Sequence, residues 1–480
     1  MQMRPDRPVV AVTLVTLVAI AAALRAIGLN NGLWFDEILT LVQFVRPPLH
    51  QIVTEYSSSN NHPLYSVLAH GAVAIFGEQA WALRFPAFLF GVAAVPAVYA
   101  LGRAVTDRRE ALLGAALMAA SYHHIWFSQN ARGYTALAFF ALAGTWLFLR
   151  GWRSGRRWCF IGYGVISALG VYTHLTMAFV VAGQAVAVGW EAWKTPAARR
   201  RLPAAAAGFG LAAAGAIALY APMAADVYAF FSGPPLETAA VATPSWAVLE
   251  TVRGLRLGLG AAGALVAAGT FALGLWSFWK QDAFVTSLFV LPGAVATVAL
   301  VVMQSPVRPR FFFFLSGFAI LLVIRGTTVA GRVLAQAVPH GSGDPSRLAT
   351  AAAGVIILTS VVSLPYGYRY PKQDYESAMR FVDRIARADT PITTAGLAVY
   401  PYRAYYGRPW RPLDTEADLS EVRSAGRETI LVYSFPEYTD RALMQAIARA
   451  CRPLKTFPAT VAGGDIVVCM LPALQAAERH

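Results

Sequence analysis

The chain has 480 residues, of which 57% are hydrophobic and 14% are charged, and its formal net charge is +14. Soluble domains have roughly 45–50% apolar and about 25% charged residues, so the composition excludes an ordinary soluble protein. The Lys and Arg residues fall mainly in short loops between apolar runs. This is the positive-inside pattern of membrane proteins, and a nucleic-acid partner is therefore not expected.

The apolar runs predict a polytopic α-helical membrane protein. Many windows of about 20 residues carry no charge, which is the length that a helix needs to cross a bilayer. The N-terminus carries Arg4 and Arg7 before a first apolar run of residues 9–28 that lacks a clear small-residue cleavage site. We therefore expect an uncleaved signal anchor with a cytoplasmic N-terminus.

The first outer loop, residues 29–81, begins with an acidic pair at the membrane surface. Asp36 and Glu37 stand beside Trp34 and Phe35, just before an apolar stretch that predicts a helix. Asp is a favoured helix N-cap and Glu suits the first turn, so capping alone could explain the pair. It explains less well why the helix starts among aromatic residues at the bilayer edge. We expect Asp36 to act as a catalytic base with Glu37 supporting it.

The run 63–77 is apolar but only about 15 residues long, and its position decides the topology. If it crossed the membrane, the basic loop 102–110 and every later basic loop would lie outside. If it is an interfacial helix on the outer surface, these loops lie inside, as the positive-inside rule requires. The second threading gives about eleven spans and a C-terminus outside: 9–28, 82–102, 111–128, 134–150, 158–172, 176–193, 203–222, 256–279, 283–303, 311–324 and 348–364.

The tail after residue 365 differs in composition from the rest of the chain. DYESAMRFVDRIARA and TDRALMQAIARAC have the apolar period of helices, and ETILVYS and GGDIVVCML are typical of short buried strands. The sequence thus predicts a membrane domain over 1–365 and a small extracytoplasmic α/β domain over 366–480. Cys451 and Cys469 could form a disulfide if this tail lies outside.

Several arginines fall at outer loops, where the positive-inside rule gives them no support. Any single one could snorkel and pair with an acid or a lipid phosphate. As a set they indicate a site for an anionic lipid head group, because guanidinium binds phosphate in a bidentate manner. Successive outer turns also carry NNHPLYS, SQNARGY and YTHLTM, although a lone His at a helix end is usually structural. The outer arginines are Arg25, Arg46, Arg84, Arg132, Arg308 and Arg310.

These elements resemble the GT-C membrane glycosyltransferases, in the branch of protein O-mannosyltransferases and aminoarabinose transferases. The resemblance runs mainly over residues 15–180, with a weaker echo at 300–325. Each motif is weak alone, but their order and spacing together are specific. The motifs are DE after the first span, the NHPL step, RFPAFLFGVAAVPAVYALGRAV, the ARGY turn, the TH step and RPRFFFFLSGFAILL.

The resemblance implies an enzyme that takes a sugar from a polyprenyl-phosphate carrier and hands it to a lipid, glycan or protein acceptor. It implies Asp36 as the carboxylate of the first loop, with Glu37 beside it. It also implies phosphate contacts at His62, where relatives can carry Lys, and at Arg132, Arg308 and Arg310. From their outer positions, Arg84, Tyr134 and His174 are further candidates for substrate or phosphate binding.

One departure concerns a metal. Aminoarabinose-type enzymes carry a second acid a few residues after the AR-like turn, whereas GYTALAFF here has none. A metal held between two such carboxylates is therefore in doubt, and a divalent cation stays open as a cofactor. No nucleotide cofactor is expected, because the donor is carried on a lipid and no Gly-rich phosphate loop is found.

The expected reaction is a single displacement with inversion, at the outer face of the cytoplasmic (inner) membrane. Asp36 takes the acceptor proton, and the arginines stabilise the departing polyprenyl phosphate. This expectation places the acidic pair and the guanidiniums in one pocket. A lipid or glycan transporter or flippase is an alternative, but such proteins carry charges in mid-span and symmetry-related repeats, which are not seen here. An envelope glycan polymerase or ligase is a closer alternative.

Overall fold

A computed structural model describes residues 8–233, 244–305, 307–337 and 345–473. Arg4 and Arg7, from which the cytoplasmic N-terminus is predicted, lie outside the described residues. Contacts divide the chain into two compact units. The first, the membrane unit, takes its described residues from Met1–Leu29, Leu49–Gly77 and Ala82–Pro365. The second, the C-terminal unit, takes them from Asn30–Pro48, Glu78–Trp81 and Tyr366–His480.

Helices dominate the part of the chain that the structure describes. In chain order they are α1 Pro8–Ala26, α2 Phe35–Thr40, α3 Leu49–Thr54, α4 Pro63–Phe76, α5 Ala80–Val105, α6 Arg108–Ala120, α7 Tyr122–Ser128, α8 Tyr134–Ser154, α9 Arg157–Thr173, α10 Met177–Lys194, α11 Pro196–Arg199, α12 Leu202–Tyr220, α13 Ala224–Ser232, α14 Pro244–Gln281, α15 Ala283–Val302, α16 Ser316–Ala337, α17 Pro345–Arg369, α18 Tyr375–Ile385, α19 Glu416–Ser424 and α20 Arg441–Ala450.

Eight helical segments within the described residues are long and apolar enough to cross a membrane, which confirms a multi-pass membrane protein. The predicted count of about eleven spans stays a prediction, because the predicted spans 111–128, 158–172 and 176–193 coincide with helices outside this set of eight. The set is Pro8–Ala26, Ala80–Val105, Tyr134–Ser154, Leu202–Ser232, Gly260–Gln281, Ala283–Val302, Pro309–Gln336 and Ser346–Arg369.

The run 63–77 forms α4, a helix of 14 residues. At a rise of 1.5 Å per residue this helix is about 21 Å long, less than the roughly 30 Å of a hydrocarbon core. Its length therefore agrees with an interfacial helix and disfavours a membrane span. The position of α4 at the outer surface remains a prediction.

Ion pairs and ring contacts bring together, within the membrane unit, the loops that were predicted to be cytoplasmic. Arg325 on α16 contacts both carboxylate oxygens of the buried Glu110 on α6, at 3.1 and 3.2 Å. Arg153, in the last turn of α8, lies 3.5 Å from Asp282, which caps α15. The Arg201 guanidinium lies over the ring of a tryptophan in α8. These contacts agree with the predicted alternation of loops, although they do not show which side of the membrane this end faces.

Close helix packing in this unit depends on small residues. Gly274 of α14 and Gly326 of α16 face one another, because a Cβ built on Gly326 would lie 2.7 Å from the backbone nitrogen of Gly274. Two such glycines let helix backbones approach closely, as is common between membrane helices. The chain turns sharply within α14 at Gly260, whose φ of 67° favours glycine.

The C-terminal unit contains a five-stranded sheet, which confirms the predicted α/β domain. The strands are β1 Ile392–Gly396, β2 Arg411–Leu413, β3 Thr429–Ser434, β4 Arg452–Phe457 and β5 Ile466–Leu471. Their spatial order is β2-β1-β3-β5-β4, with β1 parallel to β2 and β3, and β5 antiparallel to β3 and β4. Cys451 and Cys469 are joined by a disulfide, with a Cα–Cα distance of 5.8 Å.

Candidate active site

His62 and Arg132 of the membrane unit lie together although 70 residues separate them in the chain. His62 precedes α4, and its Nδ1 accepts a hydrogen bond from the backbone N–H of Gly133 at 3.0 Å. Nη2 of Arg132 lies 3.0 Å from Nε2 of His62 and donates to Oδ1 of Asn60 at 2.9 Å. Both side chains are buried. The NHP step and the ARGY turn therefore form one constellation.

Gly133 is required by this close approach. A Cβ built on Gly133 would lie 2.8 Å from Nδ1 of His62 and 2.7 Å from Cγ2 of Thr173. These distances are shorter than real Cβ contacts allow, and the neighbouring atoms are buried. The variable position of the ARGY motif is thus a packing position, where the absence of a side chain lets the histidine reach the backbone.

His174 joins the same group from the turn between α9 and α10. Its ring centroid lies 4.7 Å from that of His62 and 5.5 Å from that of Tyr134. Its Nδ1 is contacted by the backbone N–H of Thr176 at 3.2 Å and by the hydroxyl of the same residue at 2.9 Å. The turns 60–62, 131–134 and 172–176, which are predicted to lie outside, therefore converge.

The backbone contacts select one tautomer for each histidine. An N–H donates to Nδ1 in both rings, so in the neutral form the proton must be on Nε2. In His62 this Nε2–H faces the guanidinium of Arg132 at 3.0 Å. Two donors side by side do not form a hydrogen bond, but an anion placed against them accepts from both. This geometry favours a phosphate group over a cation or a neutral acceptor.

Burial and neighbouring guanidiniums keep both histidines neutral. Burial lowers the pKa of His62 well below its usual value, and the neighbouring Arg132, His174 and Arg310 lower it further. Burial, with Arg132 and Arg310, lowers the pKa of His174 to about 3. Arg310 therefore contributes to the same electrostatic environment. The site contains two fixed positive charges from the arginines, and the histidines act as neutral donors.

Tyr134 completes the group, and its ring contacts both a guanidinium and aromatic rings. Its ring lies 5.7 Å from the Arg132 guanidinium and 5.2 Å from the His62 ring. The Tyr134 hydroxyl is buried and has no hydrogen-bond partner among the described residues. A buried polar group without a partner costs free energy, so this hydroxyl is suited to donate to a bound ligand.

The two arginines of RPRFFFF differ in what the structure shows. Arg310 lies in the short 3₁₀ helix Pro309–Leu315, is half-buried, and acts electrostatically on both histidines. Phe311 beside it packs against the His174 ring at 5.9 Å. Arg308 is half-buried at the residue that precedes this helix. Its proposed phosphate contact stays a prediction.

Three other outer arginines make structural contacts. Arg25 donates to two backbone carbonyl groups at the end of α6. Arg46 forms an ion pair with Glu78 at 2.7 Å. The buried Arg84, predicted to bind substrate, donates to the carbonyl oxygen of Leu29 at 2.9 Å. Its predicted role in binding is not tested by this contact.

Asp36 and Glu37 lie in the C-terminal unit, on α2. Both side chains are buried. The backbone N–H of Trp34 contacts Oε2 of Glu37 at 3.4 Å, so Glu37 supports the start of the helix. The backbone N–H of Phe35 donates to Oε1 of Gln373 at 3.0 Å and thereby fixes the acidic pair on this unit.

No three or more His, Cys, Asp and Glu residues within the described ranges come together in a way that could hold a metal ion. The divalent cation that the sequence left open therefore stays a prediction. Sequence reasoning also missed Asn60, which accepts from Arg132, and Thr176, which orients His174. Asn60 stands in NNHPLYS and Thr176 stands in YTHLTM. Polar residues at a turn that was predicted to lie outside were the sequence feature that could have identified them.

Comparison with known proteins gives one family match. Residues 60–232 match the model described as dolichyl-phosphate-mannose-protein mannosyltransferase. This segment contains the NHP step, the ARGY turn and the TH step. No curated protein sequence matches the chain.

Solved structures share the fold over nearly the whole chain. ArnT from Cupriavidus metallidurans is 12% identical, with a TM-score of 0.54, and the match covers 97% of this chain and 99% of that one. The oligosaccharyltransferase of Archaeoglobus fulgidus is 13% identical, with a TM-score of 0.58, covering 96% and 74%. A second ArnT structure, bound to undecaprenyl phosphate, is 12% identical with a TM-score of 0.53, covering 96% and 99%.

The fold is therefore that of the GT-C membrane proteins, as the motifs predicted. The family model covers 173 of the 480 residues, and over that segment the chain is similar to dolichyl-phosphate-mannose-protein mannosyltransferases.

Proposed function

We propose that this protein is a glycosyltransferase that moves a sugar from a polyprenyl-phosphate donor to a lipid, glycan or protein acceptor, at the outer face of the cytoplasmic membrane. The observation that carries the proposal is the group formed by His62, Arg132, Tyr134, His174 and Arg310, hereafter the donor cluster. Its members present hydrogen-bond donors and positive charge. This chemistry suits an anionic lipid phosphate.

In the proposed reaction the acceptor oxygen attacks the anomeric carbon of the donor sugar. The bond from that carbon to the phosphate oxygen breaks, and polyprenyl phosphate leaves with the electron pair. Asp36 takes the proton of the acceptor hydroxyl, a role that rests on the sequence argument, and a positioned base contributes roughly 10²–10⁴-fold. A single displacement inverts the anomeric carbon.

The donor cluster acts on the leaving group. Negative charge grows on the phosphate as the sugar departs, and fixed donors aimed at it need no reorganisation during the reaction. Removal of one such donor costs about 3–4 kcal/mol in comparable oxyanion sites. We assign this role to Arg132 and Arg310, with the Nε2–H groups of His62 and His174 as additional donors.

The test compares Arg132→Gln with Asp36→Asn in purified full-length protein in nanodiscs. Binding of undecaprenyl phosphate is measured by native mass spectrometry, and transfer is measured with polyprenyl-phosphate sugars. We expect Arg132→Gln to weaken lipid binding and to lower transfer by about 100-fold or more. We expect Asp36→Asn to keep lipid binding and to lose transfer.

Arg153→Gln is the matched control, since it removes the same charge at the end of α8, away from the donor cluster. It should bind and transfer as the wild type does. Normal lipid binding in Arg132→Gln would remove the donor cluster from the mechanism, and normal transfer in Asp36→Asn would remove the base. Transfer only from donors that carry a preassembled oligosaccharide would favour the ligase alternative.

A further inference from the structure

The C-terminal unit contains a pocket of about 190 Å³ that no step of the proposed mechanism uses. One wall comes from the start of the first loop, at residues 31–33, and the other from the start of α18. The side chains that define its chemistry are Asn31, Asp374, Tyr375, Glu376, Arg380 and Tyr406.

The charge of the pocket excludes an anionic ligand. Two carboxylates, Asp374 and Glu376, face one guanidinium, and Arg380 already donates to Oε1 of Glu376 at 2.8 Å. Asp374 also accepts from the N–H of Ser377 as the N-cap of α18. The remaining carboxylate lone pairs can accept hydrogen bonds, while a phosphate would be repelled.

One lining tyrosine, Tyr406, complements these acceptors. Burial raises the pKa of Tyr406, and neighbouring Tyr405, Glu376, Tyr375 and Asp374 raise it further. The Tyr406 hydroxyl therefore stays protonated beside the carboxylates, and its ring offers an apolar face. Carboxylate acceptors, one phenol hydroxyl and an aromatic face together suit an uncharged molecule with many hydroxyl groups and apolar C–H faces.

The pocket shares a wall with the segment that carries the proposed base. Oε1 of Gln373, which lines the pocket, accepts from the backbone N–H of Phe35, next to Asp36. The charge of Asp36 also acts on Tyr375, another lining residue. A ligand in the pocket would therefore lie close to the carboxylate that is proposed to take the acceptor proton.

We infer that this pocket binds a sugar unit of the acceptor, through Asp374, Glu376 and Tyr406. The proposal that the sugar belongs to the acceptor rests on the proposed function, whereas the binding of a sugar does not. A peptide acceptor fits less well, since peptides usually bind to an open strand edge or an apolar groove. This pocket instead opens between a loop and a helix N-terminus.

The experiment uses full-length protein in nanodiscs and methyl glycosides of glucose, galactose, mannose and arabinose as probes. Saturation-transfer difference NMR reports which glycosides contact the protein. We expect at least one glycoside to bind, and we expect Glu376→Gln and Tyr406→Phe each to weaken it by about tenfold, the loss of one hydrogen bond to a charged group. Asp374→Asn keeps a capping side chain and tests the other carboxylate without unfolding α18.

Asp383→Asn is the matched control. Asp383 lies on the same helix and pairs with Arg408 at 2.6 Å, outside the pocket. This variant should bind the glycosides as the wild type does. The inference is overturned if no glycoside binds, or if the pocket variants and the control bind the glycosides equally. Undecaprenyl phosphate binding, measured in the same samples, tests the proposed function separately, because the pocket variants should leave it unchanged.

Discussion

The two histidines of the donor cluster act as neutral groups inside a positively charged site. Burial is the main cause of the low pKa of each ring, and Arg132 and Arg310 add to it. Protonation would place a third or fourth positive charge beside two guanidiniums. We therefore exclude His62 and His174 as general acids or bases near neutral pH and assign them to hydrogen bonding alone.

These low pKa values predict a loss of stability in acid. The unfolded chain binds protons at histidine below about pH 6.5, whereas the folded chain does not bind them at His174 until about pH 3. The contribution of the two neutral histidines to the free energy of unfolding is therefore fully present above pH 6.5. It decreases as the pH falls below 6.5, by at most about 1.4 kcal/mol per pH unit for each histidine. We expect the double variant His62→Gln, His174→Gln to lose less thermal stability than the wild type between pH 7.5 and pH 5.0.

Thermal unfolding in nanodiscs at the two pH values checks this. An equal loss in the wild type and the double variant would contradict the assignment of neutral rings. Gln keeps a side-chain N–H donor, so the double variant should also retain more lipid binding than His62→Ala.

For individual residues, the sequence motifs singled out the members of the donor cluster but did not predict their tautomers or hydrogen-bond partners. His62, Arg132 and His174 were found because each stands in a polar stretch at an outer turn. Their tautomers depend on backbone amides, and the amide that fixes His62 is 71 residues away. No local pattern encodes such a contact, and the role of Asn60 was missed for the same reason.

Among the elements that form the donor cluster, the turn of residues 131–134 between α7 and α8 has a steric requirement at Gly133. Gly133 has φ −75°, which any residue can adopt, so the backbone is not strained there. The requirement is space for His62 and Thr173. Substitution at this position therefore acts on the site through displacement of the histidine.

We predict that Gly133→Ala lowers polyprenyl-phosphate binding and transfer by about tenfold or more, because His62 must move and one buried hydrogen bond is lost. The control is Gly189→Ala on α10, where an added Cβ meets nothing within 4 Å. Both variants are compared in lipid binding, transfer rate and thermal stability. Wild-type binding by Gly133→Ala would show that the contact between the turn and His62 is not needed.

Helices were easier to predict than strands. Each of the eleven predicted spans overlaps a helix, since an apolar run of sufficient length has few other structures available in a bilayer. In the C-terminal unit, ETILVYS and GGDIVVCML correspond to the buried β3 and β5. The edge strand β4 was missed because RPLKTF is almost entirely exposed and contains Pro453.

For the whole molecule, the division into units differs from the sequence-based boundary in one respect. Besides the residues from Tyr366 onward, the C-terminal unit includes residues 30–48 and 78–81 of the first loop. Phe35 packs against Tyr400 and Phe435, and its amide contacts Gln373. These partners are more than 300 residues away in the chain, so composition could not assign the loop to them.

The topology yields a prediction for the whole chain. Ion pairs join the loops that should be cytoplasmic, and the donor cluster joins turns that should lie outside. The predicted topology can be tested with single introduced cysteines. The native cysteines should not react with the label, because Cys159 is buried and Cys451 is bonded to Cys469. Ser57 and Ser154 are exposed, one in each group of loops.

In intact cells, a membrane-impermeant maleimide should label Ser57→Cys and leave Ser154→Cys unlabelled. Permeabilisation should then expose Ser154→Cys, which shows that its thiol is reactive. The physical reason is the charge of the loops, since Arg153, Arg156 and Arg157 are retained on the cytoplasmic side during insertion. The reverse labelling would place the donor cluster on the cytoplasmic face, and a lipid donor presented at the outer leaflet would then be unable to reach it.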